Sequence, residues 1–180
     1  MITTAPARPS GKEQVTEAIR EATLELAEEL PPWQVTVRAI ADRAGIKHPE
    51  VHRYFGTKEA LFLSIGEESV LELSELEDSS IDELITYTLD NKGAVRVAFT
   101  RAVEGEATAA GSGEMLRSIG RKIAPLTESE GDEWASGAVM AAAMMGWALL
   151  EDWFHEANPE ADLTRSRAHL AELLNRMATG

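Results

Sequence analysis

The sequence predicts an all-α protein of about nine helices, divided into a small three-helix head and a larger helical body. Apolar residues recur at intervals of three and four along most of the 180 residues, and the alternation typical of strands is nearly absent. The hydrophobic content of 44% is enough for a sizeable core, which excludes a chain that is disordered throughout. We place the boundary between head and body between residues 57 and 58.

The first predicted helix runs from Lys12 to Leu30 and is amphipathic. Ser10 and Glu13 have the spacing of a capping box at its start, and the prolines at positions 31 and 32 stop it. The residues before it lack the apolar run of a signal peptide, so we expect a mobile N-terminal arm.

Residues 36–58, with the sequence TVRAIADRAGIKHPEVHRYFGTK, predict two short helices, a turn between them and the start of a third helix. Thr36 can cap the first of these helices. Gly45 suits the left-handed conformation that ends a helix and permits a sharp turn. Pro49 fits the first turn of the second helix, which buries Val51 and ends at Gly56. This pattern predicts a helix-turn-helix, whose second helix is too short to be stable without its neighbours.

The charge of this segment is opposite to that of the chain. It carries five basic and two acidic residues, a net charge of +3, whereas the whole chain carries −14 and its remainder therefore −17. Nucleic acid repels an acidic protein except where a local basic patch overrides the global field. The coincidence of the basic patch with the helix-turn-helix pattern indicates DNA binding.

The segment resembles the DNA-binding domain of the TetR family of bacterial transcriptional regulators. The residues that carry the resemblance are Thr36, Ile40-Ala41, Ala44-Gly45-Ile46, Val51, Tyr54-Phe55 and Thr57-Lys58-Glu59-Ala60-Leu61. Two positions depart from the family pattern: His52 stands where a tyrosine is usual, and Lys47 where a small hydroxyl residue commonly caps the second helix. The resemblance implies a ligand-responsive transcriptional regulator.

We expect two kinds of DNA contact. Helix N-termini favour anions, so phosphate contacts are predicted from Thr36, Arg38, Tyr54 and Lys58. Contacts to base edges are predicted from side chains on the outward face of the second short helix, with Pro49 against a thymine methyl group. The predicted DNA-binding residues are Thr36, Val37, Arg38, Lys47, His48, Pro49, His52, Arg53, Tyr54 and Lys58.

Five further helices are predicted in the body after the one that Thr57 can cap, which runs to about Leu76. Ser80 and Glu83 have capping-box spacing before the next helix, which runs to about Leu89. The next helix spans about 94–104, and a loop at 109–113 precedes a helix that contains Met115 and residues 116–123. A long helix opens at Gly131-Asp132 and runs to His155, and the last helix spans 163–177.

The last two helices are predicted to form a homodimer. The first of them is rich in Ala and contains Gly137 and Gly146, which lower helix propensity unless something packs closely there. The last helix has an apolar face that could cover it, and the resemblance implies dimerisation through these two helices. Filling of the monomer's own core stays open, because periodicity does not show which chain an apolar face meets.

The body also contains many large, adaptable apolar side chains. Most of them are expected in the core, but pockets between helices are built from the same residue types. The resemblance implies an effector pocket in the body, and the predicted wall is Phe99, Met115, Met144 and Trp147. Because the residues outside 36–58 carry a net charge of −17, we expect a neutral or cationic apolar effector.

Signals for other functions are weak. His155-Glu156 begins like a zinc-protease helix, but Pro159 stands where the second histidine would be, and no nucleophile or phosphate-loop motif is present. His48 and His52 have a zinc-compatible spacing without an evident third ligand, so no metal and no cofactor are expected.

The longest apolar run, residues 138–150, is too short for a membrane span, and the chain has no cysteine. We therefore expect a cytoplasmic regulator, associated with the nucleoid, that is not an enzyme. It is predicted to be a repressor that binds a palindromic operator and leaves it when a small effector binds. The alternative is a helical interaction or scaffold protein that no longer binds a specific operator.

Overall fold

The computed structural model describes residues 9–75, 79–103, 116–117, 120–121 and 133–179. Within these ranges the chain has no strand, and the all-α prediction is confirmed. The described helices are α1 (Lys12–Glu29), α2 (Val37–Arg43), α3 (His48–Phe55), α4 (Lys58–Glu75), α5 (Ile81–Asp90), α6 (Lys92–Val103), α7 (Glu133–Ala157) and α8 (Leu163–Thr179), with a 3-10 turn at Pro32–Gln34. Residues 116–117 and 120–121 are also helical.

The predicted capping box at the start of α1 does not form. The N-cap is Gly11, at φ +86°, and no side chain caps the helix. Glycine adopts a positive φ without strain, so the helix begins one residue later than the capping box requires. The Ser10 backbone N–H donates instead to Oε1 of Gln14 at 3.1 Å.

The other predicted caps are present. The Thr57 hydroxyl accepts from the Ala60 backbone N–H at 3.1 Å at the start of α4. Before α5, the Ser80 hydroxyl accepts from the Glu83 N–H at 3.3 Å, and Oε2 of Glu83 accepts from the Ser80 N–H at 2.7 Å. Each cap satisfies backbone donors that a helix leaves without an internal partner.

The core of the head continues into the body. The side chains of α1, α2 and α3 enclose Ile19, Ile40 and Val51, all fully buried. Leu61 from α4 and Val97 from α6 belong to the same apolar cluster. The head is therefore held by two body helices as well as by its own packing.

A second apolar cluster lies between α5, α7 and α8. Its buried members are Leu84, Ile85, Leu89, Met140, Met144 and Leu174. The Tyr87 hydroxyl on α5 donates to the Glu72 carboxylate on α4, which links this part of the body to the fourth helix.

The two glycines of α7 have different surroundings. A Cβ atom added to Gly137 would lie 1.8 Å from the Leu116 carbonyl oxygen, so a segment of the same chain packs against the helix backbone there. A Cβ atom at Gly146 would meet nothing within 4 Å. Within this chain, close packing occurs at Gly137 and not at Gly146.

The predicted loop at 109–113 lies outside the described residues, as do most of residues 115–123. Of the helices that the structure describes, none combines the length and the apolar character that crossing a bilayer requires.

Candidate nucleic-acid interface

The turn between α2 and α3 has the predicted geometry. Gly45 has φ +67°, and the N–H of Ile46 donates to the Ala41 carbonyl at 3.0 Å. Ile46 and Val51 are buried beneath the turn. The two helices are thus fixed to each other by a backbone bend and by apolar packing on its inner side.

The first turn of α2 presents polar groups at the surface. The Thr36 hydroxyl caps the helix by accepting from the Ala39 N–H at 3.1 Å. Arg38 is 86% exposed, with its Nε 3.9 Å from Oδ2 of Asp42, so its guanidinium is available to an external anion. Val37 is half-buried and packs against the head core, so less of its side chain than of Arg38 is exposed to solvent.

Glu50 completes the start of α3. Its Oε2 accepts from the Lys47 backbone N–H at 2.8 Å, which is the acidic half of a capping box. The Glu50 backbone N–H, to which a hydroxyl at position 47 would bind, donates to the Lys47 carbonyl at 2.8 Å. The exposed Lys47 side chain, together with His48 and Pro49, therefore faces outward from the start of α3.

The outer imidazole on α3 has a defined orientation. Nδ1 of His52 lies 2.7 Å from the Gly56 carbonyl oxygen. A carbonyl can only accept, so Nδ1 carries the hydrogen and Nε2 remains available on the other side of the ring. The rings of His48 and His52 meet edge to face, with centroids 5.0 Å apart.

The neighbouring side chains on α3 form a second pair. The Arg53 guanidinium lies 5.5 Å from the centroid of the Tyr54 ring. Tyr54 is half-buried against the head core, whereas Arg53 is exposed. The ring therefore supports one side of the guanidinium without occupying its hydrogen-bond donors.

Lys58 points towards the protein. Its ammonium group donates to the carbonyls of Val35 at 3.2 Å and Pro32 at 3.4 Å, and it lies 5.1 Å from the centre of the Phe62 ring. An ammonium group has three donors, so one remains for a phosphate in this arrangement. Lys58 thus connects the start of α4 to the segment before α2.

Arg43 adds to the charge of the segment but not to its exposed face. Its guanidinium donates to both oxygens of Glu29, at 2.8 and 3.0 Å, and to Glu25 at 3.1 Å. The hydrogen bond from Arg43 holds the pKa of the Glu29 carboxyl below its usual range. Counting charges along the sequence could not show this, because the two partners lie on α1.

The predicted effector residues do not form one group. Met144 is buried and Trp147 half-buried in the cluster between α5, α7 and α8. Phe99, on α6, is half-buried and is not part of that cluster. Met115 lies outside the described residues.

A small pocket, not predicted from the sequence, lies where head and body meet. It has a volume of about 90 Å³. Its lining residues are Pro32, Trp33, Lys58, Glu59, Phe62, Thr100 and Arg101. These come from three separate parts of the chain, so no local motif could have indicated it.

The geometry can be compared with known proteins. Residues 19–65 match the family described as bacterial regulatory proteins, tetR family. They include α1 from Ile19 onward, the whole helix-turn-helix and the beginning of α4. Residues 19–65 therefore form a DNA-binding domain of the TetR family.

Two relatives are named as transcriptional regulators of the helix-turn-helix type. A Mycobacterium tuberculosis protein named as an HTH-type transcriptional repressor and a Mycobacterium bovis protein named as an HTH-type transcriptional regulator are each 34% identical to this chain over 100 residues. In both cases the match covers 52% of this chain and 53% of the relative, so the chain spans about half the length of the curated relatives it matches.

The crystal structure of a Rhodococcus sp. RHA1 protein, proposed to be a transcriptional regulator, aligns with a TM-score of 0.56 and 17% identity. The alignment covers 92% of this chain and all of that one, and it supports a shared fold.

Proposed function

We propose that this chain is a DNA-binding transcriptional regulator of the TetR family and that it acts as a repressor. The observation that carries the proposal is the outward face of α3, which presents Lys47, His48, His52 and Arg53 beside the capped start of α2. These side chains supply hydrogen-bond donors and positive charge in a chain of net charge −14.

The structure supports a division of labour on this face. Lys47, His48, His52 and Arg53, with Pro49, lie on the helix that would enter the major groove and would contact base edges. Phosphate contacts are assigned to Thr36, Arg38, Tyr54 and Lys58 around it, and Val37 remains a proposed DNA-contacting residue at the start of α2. We assign the head to residues 1–57 and the body to residues 58–180.

A homodimer through α7 and α8 would place two heads on a palindromic operator. Along α7, Val139, Ala142, Gly146, Leu150 and Trp153 follow one another at intervals of three and four, which places them on one side of the helix. Val139 is 60% exposed, Leu150 47% and Trp153 59%, and Gly146 has open space around it. Large apolar side chains exposed along one stripe favour burial against a second chain.

Release from the operator is assigned to a small apolar effector, neutral or cationic, bound within the body. Met144 and Trp147 supply apolar surface between α5, α7 and α8, with Phe99 and Met115 as the other proposed wall residues. Binding there would lower operator affinity by a coupling of about 1–3 kcal/mol. The proposed setting is the cytoplasm, where the protein would associate with the nucleoid.

The test is selection of random duplexes with the purified protein, followed by sequencing of the retained DNA. A palindromic consensus would support the regulator and would locate its promoters. Lys58→Ala should then weaken binding to all sequences alike and lower the salt dependence by about one unit per subunit. Uniform weak retention of every sequence would instead favour a scaffold protein that no longer binds a specific operator.

A further inference from the structure

The end of α1 has two backbone acceptors that the helix itself cannot satisfy. In an α-helix the carbonyl of residue i accepts from the N–H of residue i+4. For Ala27 and Glu28 those donors would belong to residues 31 and 32, and both are prolines, which have no N–H. The last hydrogen bond of the helix runs from the Leu30 N–H to the Leu26 carbonyl at 2.8 Å. The two following carbonyls need donors from elsewhere.

Arg96, on α6, supplies them. Its Nη1 donates to the Glu28 carbonyl at 3.0 Å and to the Ala27 carbonyl at 3.2 Å. The last turn of α1 has no basic residue of its own, and Arg96 is only 4% exposed. A helix C-terminus carries partial negative charge, so the guanidinium both completes the hydrogen bonds and stabilises the helix dipole.

The rest of the guanidinium is held by α7. Nε of Arg96 donates to the Ala148 carbonyl at 3.1 Å, and Nη2 donates to the Asp152 carboxylate. Asp152 also accepts from Lys92 at 2.8 Å. A buried charge is tolerated when it is paired and hydrogen-bonded in this way, whereas removal of one partner leaves the other uncompensated.

The backbones of α1 and α6 approach closely one turn away from Arg96. A Cβ atom added to Gly93 would lie 2.4 Å from the Leu24 carbonyl oxygen, so a larger residue could not occupy this position without a shift. Together with the Arg96 bonds, this contact fixes α1 on α6 at two successive points.

We propose that Arg96 is the positioning residue that fixes the DNA-binding head on the body: it caps the Pro31-Pro32 end of α1 from α6 and joins that end to α7. The expected effect on DNA binding rests on the proposed function, whereas the cap itself does not. A displacement of α7 that carries away Ala148 and Asp152 would release Arg96 from the end of α1. The body thereby has a connection to the head that does not pass through α4.

The test compares Arg96→Met with Lys92→Met in the full-length chain. Both variants remove a cation that pairs with Asp152, but only Arg96 contacts the carbonyls of α1. Hydrogen exchange should become at least about tenfold faster at the Glu28, Glu29 and Leu30 amides in Arg96→Met, and stay within about twofold of the wild type in Lys92→Met. Affinity for the DNA recovered by selection should fall about five- to tenfold in Arg96→Met alone, because a loosely held head loses preorganisation.

Asp152→Asn is the second variant, should Arg96→Met fail to fold. It leaves the Arg96 bonds to α1 in place but removes their charged support, so exchange at the same three amides should increase by a smaller factor. Equal exchange in Arg96→Met and Lys92→Met would overturn the cap, and unchanged exchange in Asp152→Asn would overturn the connection that joins the end of α1 to α7. Faster exchange with unchanged DNA affinity would overturn the positioning role. If the wild type retains no specific DNA, the proposed function fails, and the exchange comparison still decides whether Arg96 holds the head.

Discussion

The side chains on the outer face of α3 differ in how firmly the protein holds them. Nδ1 of His52 is bound to the Gly56 carbonyl, and Arg53 lies beside the Tyr54 ring. Lys47 and Pro49 are simply exposed. A group that is already oriented loses less conformational entropy when it binds a base edge. Arg53 and His52 are therefore the residues from which the sharpest sequence preference is expected.

Arg53→Ala should relax the preference at one position of each half-site. A guanidinium that forms two bonds with a guanine contributes about 1–3 kcal/mol of discrimination against the wrong base. Repeating the duplex selection with the variant measures the change. Arg38→Ala is the matched control, because it removes an exposed guanidinium from a predicted phosphate contact and should weaken all sequences alike. An unaltered consensus in Arg53→Ala would show that the residue does not contact bases.

At the scale of secondary-structure elements, the head depends on caps because α2 and α3 are short. Helices of 7 and 8 residues are not stable alone, so their ends must be completed and their apolar sides covered. Thr36, Glu50 and Thr57 provide caps at three successive helix starts. Loss of one cap should change the stability of the head more than that of the body.

Thr36→Ala should destabilise the head by about 1 kcal/mol, because the Ala39 N–H loses its acceptor. Thr36→Ser, which keeps the hydroxyl, is the control and should restore most of the stability. Urea unfolding, followed through the fluorescence of Trp33 in a chain whose other tryptophans are replaced by phenylalanine, gives the comparison. Equal stability of the alanine and serine variants would show that the cap contributes little.

The link between α6 and α7 should weaken in acid. Burial raises the pKa of the Asp152 carboxyl, but hydrogen bonds and charge from Lys92 and Arg96 outweigh it, so the pKa lies below its usual range. An ion pair that lowers the pKa of a carboxyl in the folded state stabilises the protein fully above the pKa of an unfolded aspartate, about 4. This stabilisation is lost as the pH falls through the lower pKa of the folded state. The stability difference between wild type and Asp152→Asn should therefore be constant from about pH 8 to 5 and shrink towards pH 3. A difference that does not change with pH would exclude this ion pair as its source.

At the scale of the whole molecule, the position of the heads depends on two arrangements. One is the attachment of α1 to α6 and α7 through Arg96 within each chain. The other is the proposed pairing of two chains along the apolar stripe of α7. An effector that alters either arrangement would change the spacing of the heads and thereby the affinity for a palindrome.

Trp153→Glu should convert the proposed dimer into a monomer. The Trp153 side chain is 59% exposed in the single chain, so the substitution should leave the fold of the monomer intact. In the proposed interface the new carboxylate would be buried without a partner, which opposes dimerisation. His155→Glu adds a carboxylate to another side of the same helix and serves as the control. Sedimentation and operator binding should both change in Trp153→Glu only, with at least about a hundredfold loss of affinity for a two-half-site operator. A Trp153→Glu protein that remains dimeric would place the interface elsewhere.

The sequence alone determined the helices of the head and the identity of its turn. Capping residues, the positive φ at Gly45 and apolar spacing are local properties, so their outcome could be predicted without knowledge of the fold. The outward position of Lys47, His48, His52 and Arg53 followed from the same periodicity. The start of α1 is the exception, because Gly11 takes the N-cap position that Ser10 was predicted to hold.

Only the tertiary structure decided which charges remain exposed and what holds the head in place. Arg43 is neutralised by α1, Lys58 turns towards the carbonyls of Pro32 and Val35, and Arg96 completes a helix 68 residues earlier in the chain. Hydrogen bonds between distant residues leave no periodic signal, since they depend on how helices pack rather than on spacing along one helix. The Pro31-Pro32 pair shows the limit: the sequence reveals that two carbonyls lack donors, and the fold alone shows that Arg96 supplies them.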